Sequence, residues 1–162
     1  MMTHVCGRRE GALNMNSDEA ILLTPCATVR IPVTTPFDFR HTFWKPSHFV
    51  TGLEVHSLDV SWRTFRIGQR YCGVRCEFVD GFVMASIYAD KLLDVAQIDQ
   101  VSARITHSYG LAEDQRGFLE VAASHPAMHA PLRHFRGMRQ SCPENLFEIA
   151  IISLLLQNAT IQ

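Results

Sequence analysis

Leu58-Asp59-Val60-Ser61-Trp62-Arg63-Thr64-Phe65-Arg66-Ile67, then Gly68-Gln69, then Arg70-Tyr71-Cys72-Gly73-Val74-Arg75-Cys76-Glu77-Phe78-Val79, then Asp80-Gly81, then Phe82-Val83-Met84-Ala85-Ser86-Ile87-Tyr88-Ala89: this stretch decides the fold. Its first part alternates, with Leu58, Val60 and Trp62 set against Asp59, Ser61 and Arg63. Period-two alternation is the mark of a half-buried strand. Gly68-Gln69 and Asp80-Gly81 each read as a two-residue hairpin turn. Turns that short force their flanking strands to pair antiparallel.

Upstream, Thr28–Val33 alternates, with Val29, Ile31 and Val33 on one face, and Pro32 predicts an edge strand because proline cannot donate to a ladder. Phe37–Trp44 alternates too, predicting a further strand that ends at Lys45-Pro46-Ser47. The expected architecture over residues 25–92 is therefore an antiparallel sheet of about four or five strands. Residues 1–24 are polar and aperiodic and read as a flexible tail.

Beyond residue 92 the period changes from 2 to 3.6. Val95, Ile98, Val101, Ala103, Ile105 and Tyr109 approximate one helical face, with Gly110 as the C-terminal cap. Glu113–Ser124 predicts a second helix, with Phe118, Leu119, Val121 and Ala122 turned inward. Pro126 opens a third, short helix to about Phe135, capped by Ser124 or His125. Phe135-Arg136-Gly137-Met138-Arg139 is a connector, and Pro143 starts a last helix. Strands followed by a run of helices predict an α+β chain, with residues 93–162 forming a helical segment.

That last helix is apolar almost without interruption from Leu146 to Leu156. A helix apolar nearly all round has to be covered on several sides. Two expectations follow: the chain is the front part of a longer protein, or residues 146–156 pair with another chain.

Composition narrows the classes. The formal net charge is −1, without the basic excess of a non-specific nucleic-acid binder. Arginine heavily outnumbers lysine, which stands only at Lys45 and Lys91. That permits a local phosphate-reading surface, although a GC-rich genome accounts for the bias no less well. The five cysteines have no framework spacing, the N-terminus lacks a secretory apolar core, and no apolar run is long enough to span a membrane. A soluble, reducing, intracellular setting is expected.

The sequence has no Gly-rich phosphate loop, no G-x-S-x-G elbow and no H-E-x-x-H. Cys72 and Cys76 share one face of a predicted strand, about 13 Å apart at roughly 3.3 Å per residue, so core positions are expected rather than a metal pair. His125 and His129 have helical ligand spacing, but Pro126 puts His125 at or before the helix start and no third ligand is near. Asp99, Glu113, Asp114 and Glu120 read as a solvated face and helix caps. On the strand that carries them, Trp62 and Phe65 are expected to pack and Arg63 and Arg66 to show.

Residues 134–162 resemble the entry to the helical core of the helix-hairpin-helix DNA glycosylases. The resemblance is carried by Phe135-Arg136-Gly137-Met138-Arg139, by Pro143-Glu144-Asn145-Leu146-Phe147-Glu148, and by Ile151-Ile152-Ser153-Leu154-Leu155-Leu156-Gln157-Asn158-Ala159-Thr160. A sheet before the helices is similar to the 8-oxoguanine and alkyladenine branches, whose sheet is TATA-binding-protein-like; endonuclease III lacks one.

The resemblance implies a base-excision-repair enzyme that acts on double-stranded DNA and extrudes the damaged nucleotide before cutting its N-glycosidic bond. It places Gln157 and Asn158 where the family fills the emptied stack and holds the opposite base, a task an amide can do because it both donates and accepts. The 8-oxoguanine branch is Asn-rich there, with an Arg soon after; here a single Asn stands, and Gln162 occupies about the place of that Arg. The family's phosphate-gripping hairpin, catalytic Asp and nucleophilic Lys lie further downstream. The resemblance therefore gives residues 1–162 no catalytic residue, no metal and no cofactor, and implies that this stretch alone is inactive. The alternative expectation is a non-catalytic binding or assembly module joined through its apolar last helix.

Overall fold

The protein is seen in a computed structural model that describes residues 22–43, 54–57, 59–140, 150–151 and 153–154. The described chain is α+β. Its strands are β1 (Thr24–Pro32), β2 (Glu54–His56), β3 (Val60–Ile67), β4 (Arg70–Val79) and β5 (Phe82–Ala89). Its helices are α1 (Phe39–Phe43), α2 (Val95–Ser108), α3 (Arg116–Ala123) and α4 (His129–Phe135), with a 3-10 turn at Pro126–Met128. The strands form one sheet in the order β1-β5-β4-β3-β2, antiparallel throughout.

Both hairpins form where the turn chemistry places them. Ile67 faces Arg70 across Gly68-Gln69, and Val79 faces Phe82 across Asp80-Gly81. Asp80 and Gly81 both take positive φ, 51° and 81°, as a type I′ turn requires. Pro32 lies on β1, which among the described residues pairs only with β5 and stands at the sheet edge, as its missing N–H predicts.

The segment after β1 departs from the expected strand. Phe39–Phe43 is a helical turn. Asp38 nucleates it: its carboxylate accepts from the His41 backbone N–H at 3.0 Å and meets the His41 ring at 2.8 Å, while its carbonyl accepts from Thr42 N–H. Phe39 and Phe43, four apart, then share a buried face with Thr42. Phe37 and Phe39 do alternate, but the helical spacing of Phe39 and Phe43 prevails.

The phase of β3 also differs from expectation. Ser61, Phe65 and Ile67 are buried, while Trp62 keeps 40 % of its surface exposed. Phe65 and Ile67 outweigh the Val60 and Trp62 register because the partners across from the buried phase, Cys72, Val74 and Cys76 on β4, form the apolar side of that strand. Phe65 packs as predicted; Trp62 lies on the outer face with Arg66, and Arg63 is half-buried on the inner one.

The core is a single cluster on the inner face of the sheet. Val83, Ala85 and Ile87 of β5 belong to it together with Val101 and Ile105 of α2, and the Phe43 ring stacks on Tyr109 at 3.8 Å. Each large side chain buried there is worth roughly 1.5–3 kcal/mol. α2 begins in a capping box: Gln97 N–H donates to Asp94 Oδ1 at 2.8 Å and Asp94 N–H to Gln97 Oε1 at 3.1 Å. It ends on Gly110 (φ 57°), where Gly110 N–H donates to His107 O and Leu111 N–H to Thr106 O.

α3 buries less than its pattern predicts. Only Ala122 is buried, while Phe118 and Val121 are 59 % and 63 % exposed. They form an apolar surface without a cover among the described residues.

Candidate functional site

Gln157 and Asn158, the residues singled out for the opposite base, lie outside the described residues, as does most of 146–156. Four residues of that stretch are described as helical, Ala150, Ile151, Ser153 and Leu154. Ile151 is 40 % and Leu154 60 % exposed. What the structure does show is the connector that delivers the chain toward them.

α4 ends at Phe135, and Met138 N–H folds back onto the Phe135 carbonyl at 3.0 Å. Gly137 sits between them at φ 90°, and its carbonyl accepts from Asp38 N–H at 2.9 Å. A Cβ at Gly137 would fall 2.8 Å from Phe37 N and 2.9 Å from Phe37 Cα and C, so main chain packs directly on main chain here. Only glycine meets both the conformation and the clearance.

Arg139 completes the clamp and is wholly buried. Its N–H donates to Thr42 Oγ1 at 3.0 Å, and its Nη2 donates to the carbonyls of Thr34 at 2.6 Å and Pro36 at 3.0 Å. Burial pulls the guanidinium below its ordinary pKa, and the charges of Glu113 and Asp114 oppose that fall. Nε and Nη1 have no hydrogen-bond partner among the described residues. Thr34 N–H in turn donates to Leu111 O, and the Gln115 side chain donates to Met138 O, both at 2.9 Å. The sheet's first loop, the end of α2 and the connector are thus tied into one knot. The sequence marked Gly137 and Arg139 by resemblance only; their physical task, a glycine forced by contact and a buried cation collecting carbonyls, had no separate signal.

The other residues singled out by the sequence take structural places. Cys72 and Cys76 are buried core residues, and burial pushes the Cys76 thiol up to about 12, against the opposing charges of Arg63 and Arg75. His125 caps the 3-10 turn by position, and the His129 ring meets the Ala123 carbonyl at 3.1 Å. Among the described residues no group of His, Cys, Asp or Glu could hold a metal ion, and no helix is long and apolar enough to cross a membrane. Asp114 pairs with Arg116, whose side-chain and backbone hydrogen bonds bring its carboxyl down to about 2. A cleft of about 590 Å³ runs beside α2, where Asp99, His107 and Glu113 border small residues such as Ser102, Ala103 and Gly110. A second groove of about 370 Å³, on the outer face of the sheet, is walled by Leu23, Val55, Trp62 and Tyr88 over Gly73.

The described fold has a counterpart among solved structures. The chain is similar to a 3-methyladenine DNA-glycosylase from Archaeoglobus fulgidus. The TM-score is 0.61, with 11 % sequence identity, over 83 % of this chain and 45 % of that one. At this identity the likeness is one of fold, and the chain spans less than half the length of that enzyme. No protein-family model matches the sequence, and no curated protein matches it. The fold is therefore DNA glycosylase-like.

Proposed function

We propose that the chain is the N-terminal part of a base-excision-repair DNA glycosylase of the helix-hairpin-helix superfamily. The observation that carries the reading is the clamp: in a glycosylase-like fold, the Gly137-Met138-Arg139 connector, which resembles that of the family, fastens the helical segment to the sheet. In this reading residues 1–24 are a tail, 25–92 a sheet domain, and 93–162 the opening of the catalytic domain.

The partner is double-stranded DNA. The full protein turns the damaged nucleotide out of the duplex, at a cost of a few kcal/mol. Gln157 and Asn158 enter the gap and hydrogen-bond the opposite base. The groups that cleave the N-glycosidic bond come from the chain beyond residue 162, and neither metal nor cofactor is called for. The exposed Phe118 and Val121 are then surfaces that the rest of the helical domain covers.

Base release from duplexes carrying an alkylated or oxidised base tests this. The longer protein should release the base, residues 1–162 should not, and Gln157→Ala with Asn158→Ala should weaken release by the longer protein. A downstream sequence without a helix-hairpin-helix and a following Asp would sink the reading.

The exposure of Ile151 and Leu154 favours one other reading, a non-catalytic module that assembles through residues 146–156. Sedimentation of the 162-residue chain separates the two. Concentration-dependent dimers broken by Leu154→Glu support assembly, and a monomer with a cooperative melt counts against both truncation and pairing.

A further inference from the structure

The outer face of the sheet carries a pattern that base excision does not use. The register sets its residues in rows across the strands: Val55, Trp62, Arg75 and Ser86 in one, Thr64, Gly73 and Tyr88 in the next, Arg66 and Tyr71 beyond. Trp62 and Tyr88 lie 5.6 Å apart between ring centroids, and Tyr71 is 54 % exposed. Leu23 reaches over Gly73 beside these rings, its Cδ1 3.3 Å from where a Cβ would stand, and Trp62 and Tyr71 keep exposed surface around it. The buried residues of α1 and α2 belong to the cluster on the opposite, inner face.

Charge separates this face from an ordinary apolar patch. Among the described residues, Arg30, Arg66 and Arg75 stand in its rows against one acid, Glu77, in a chain of net charge −1; the Arg30 guanidinium lies over the Phe82 ring. Glu77 pairs with Arg75 at 2.9 Å. Arg66 donates to neutral acceptors, the Gly68 carbonyl and Gln69 Oε1, and so keeps its positive charge uncompensated by those contacts.

Exposed rings interleaved with arginines on a sheet face match the chemistry of an unpaired nucleic-acid strand, whose bases offer π faces and whose backbone offers phosphates. A duplex hides those faces, and an apolar peptide gains nothing from the cations. We propose that the outer sheet face binds single-stranded DNA, with bases stacked on Trp62 and Tyr71 and phosphates held by Arg66 and Arg75. Only the choice of DNA over RNA rests on the glycosylase reading.

Fluorescence anisotropy with the 162-residue chain and labelled strands of about a dozen nucleotides, within single-strand site sizes of roughly 4–16, tests it. Salt-dependent binding is expected. Trp62→Ala or Tyr71→Ala should each weaken it about tenfold, within the range for removal of one stacked base. Arg66→Gln with Arg75→Gln should flatten the salt slope by about 0.7 for each phosphate no longer neutralised. Thermal melts check folding, and the more exposed Tyr71 serves if Trp62→Ala does not fold.

Absence of binding at low salt, binding indifferent to both ring variants, or preference for duplex would overturn the proposal, and tighter binding of the equivalent RNA would overturn the choice of DNA. If the longer protein fails to release a base while single-strand binding stands, only the excision reading falls; the reverse pattern removes only this one.

Discussion

Arg139 Nη2 lies 2.6 Å from the carbonyl oxygen of Thr34, joining residues 105 positions apart. The same nitrogen holds Pro36 O, so one buried cation fixes the loop that leaves β1. Arg139→Met keeps much of the volume but strands two carbonyls. Each buried acceptor left unpaired costs roughly 1–3 kcal/mol, so a loss of about 3 kcal/mol is expected as a lower urea midpoint at unchanged slope. Arg139→Lys should recover only part, because an ammonium lacks the planar fork.

Gly137→Ala should be more harmful than Gly68→Ala. Both sites have positive φ, but a Cβ at Gly68 meets nothing within 4 Å, whereas at Gly137 it strikes the Phe37 backbone. Conformational strain alone costs about 1–2 kcal/mol. The Gly137 variant should exceed that and weaken the bond from Asp38 N–H, seen as faster amide exchange at Asp38.

Cys76 should resist alkylation in the native state and react on unfolding, because burial holds its thiol near 12 against an ordinary 9.0. The raised value also sets a sign. Native protein keeps the proton that unfolded protein loses, so this contribution to stability is complete below about pH 9 and is lost as pH rises toward about 12. Cys76→Ala should lower stability near neutral pH yet make its alkaline decline shallower, measured by denaturant melts across that window.

Asp38 works in the opposite direction. Burial alone would raise its pKa, but the His41 backbone N–H, ring and charge together hold it below the ordinary 3.8. Its stabilisation is present above that ordinary value and is lost as pH falls through the lower native one. Asp38→Asn keeps an oxygen that can accept from the His41 N–H but loses the charge facing the His41 ring, and should therefore be less stable than the parent at neutral pH. The gap should narrow in acid, and melts at descending pH would show it.

The sheet was legible because its signals are local. Asp80-Gly81 and Gly68-Gln69 name their turns, and a turn that short leaves one pairing. The C-terminal glycine of α2 was readable for the same reason. The phase of β3 was not, since Val60 with Trp62 and Phe65 with Ile67 give opposite answers and the partner strand decides between them. Nor was α1, where two apolar periods overlap and Asp38 tips the balance. The clamp was legible only as likeness: nothing local to Arg139 says that its partners are carbonyls a hundred residues upstream. The roles proposed for Gln157 and Asn158 rest on likeness in the same way.

The strands differ in how far apart their partners are in sequence. β3, β4 and β5 pair through two-residue turns, whereas Thr24 of β1 bonds Ala89 from 65 positions away and Arg139 reaches back still farther. Closing long loops costs entropy that only later contacts return. During synthesis the three-stranded meander can therefore assemble while β1 waits for β5, and the clamp closes last, after Arg139 has left the ribosome. Pulsed hydrogen exchange should protect β4 amides before those of β1. The connector is in this sense the clasp of the chain's earliest-made part, fastened only as its helical segment arrives.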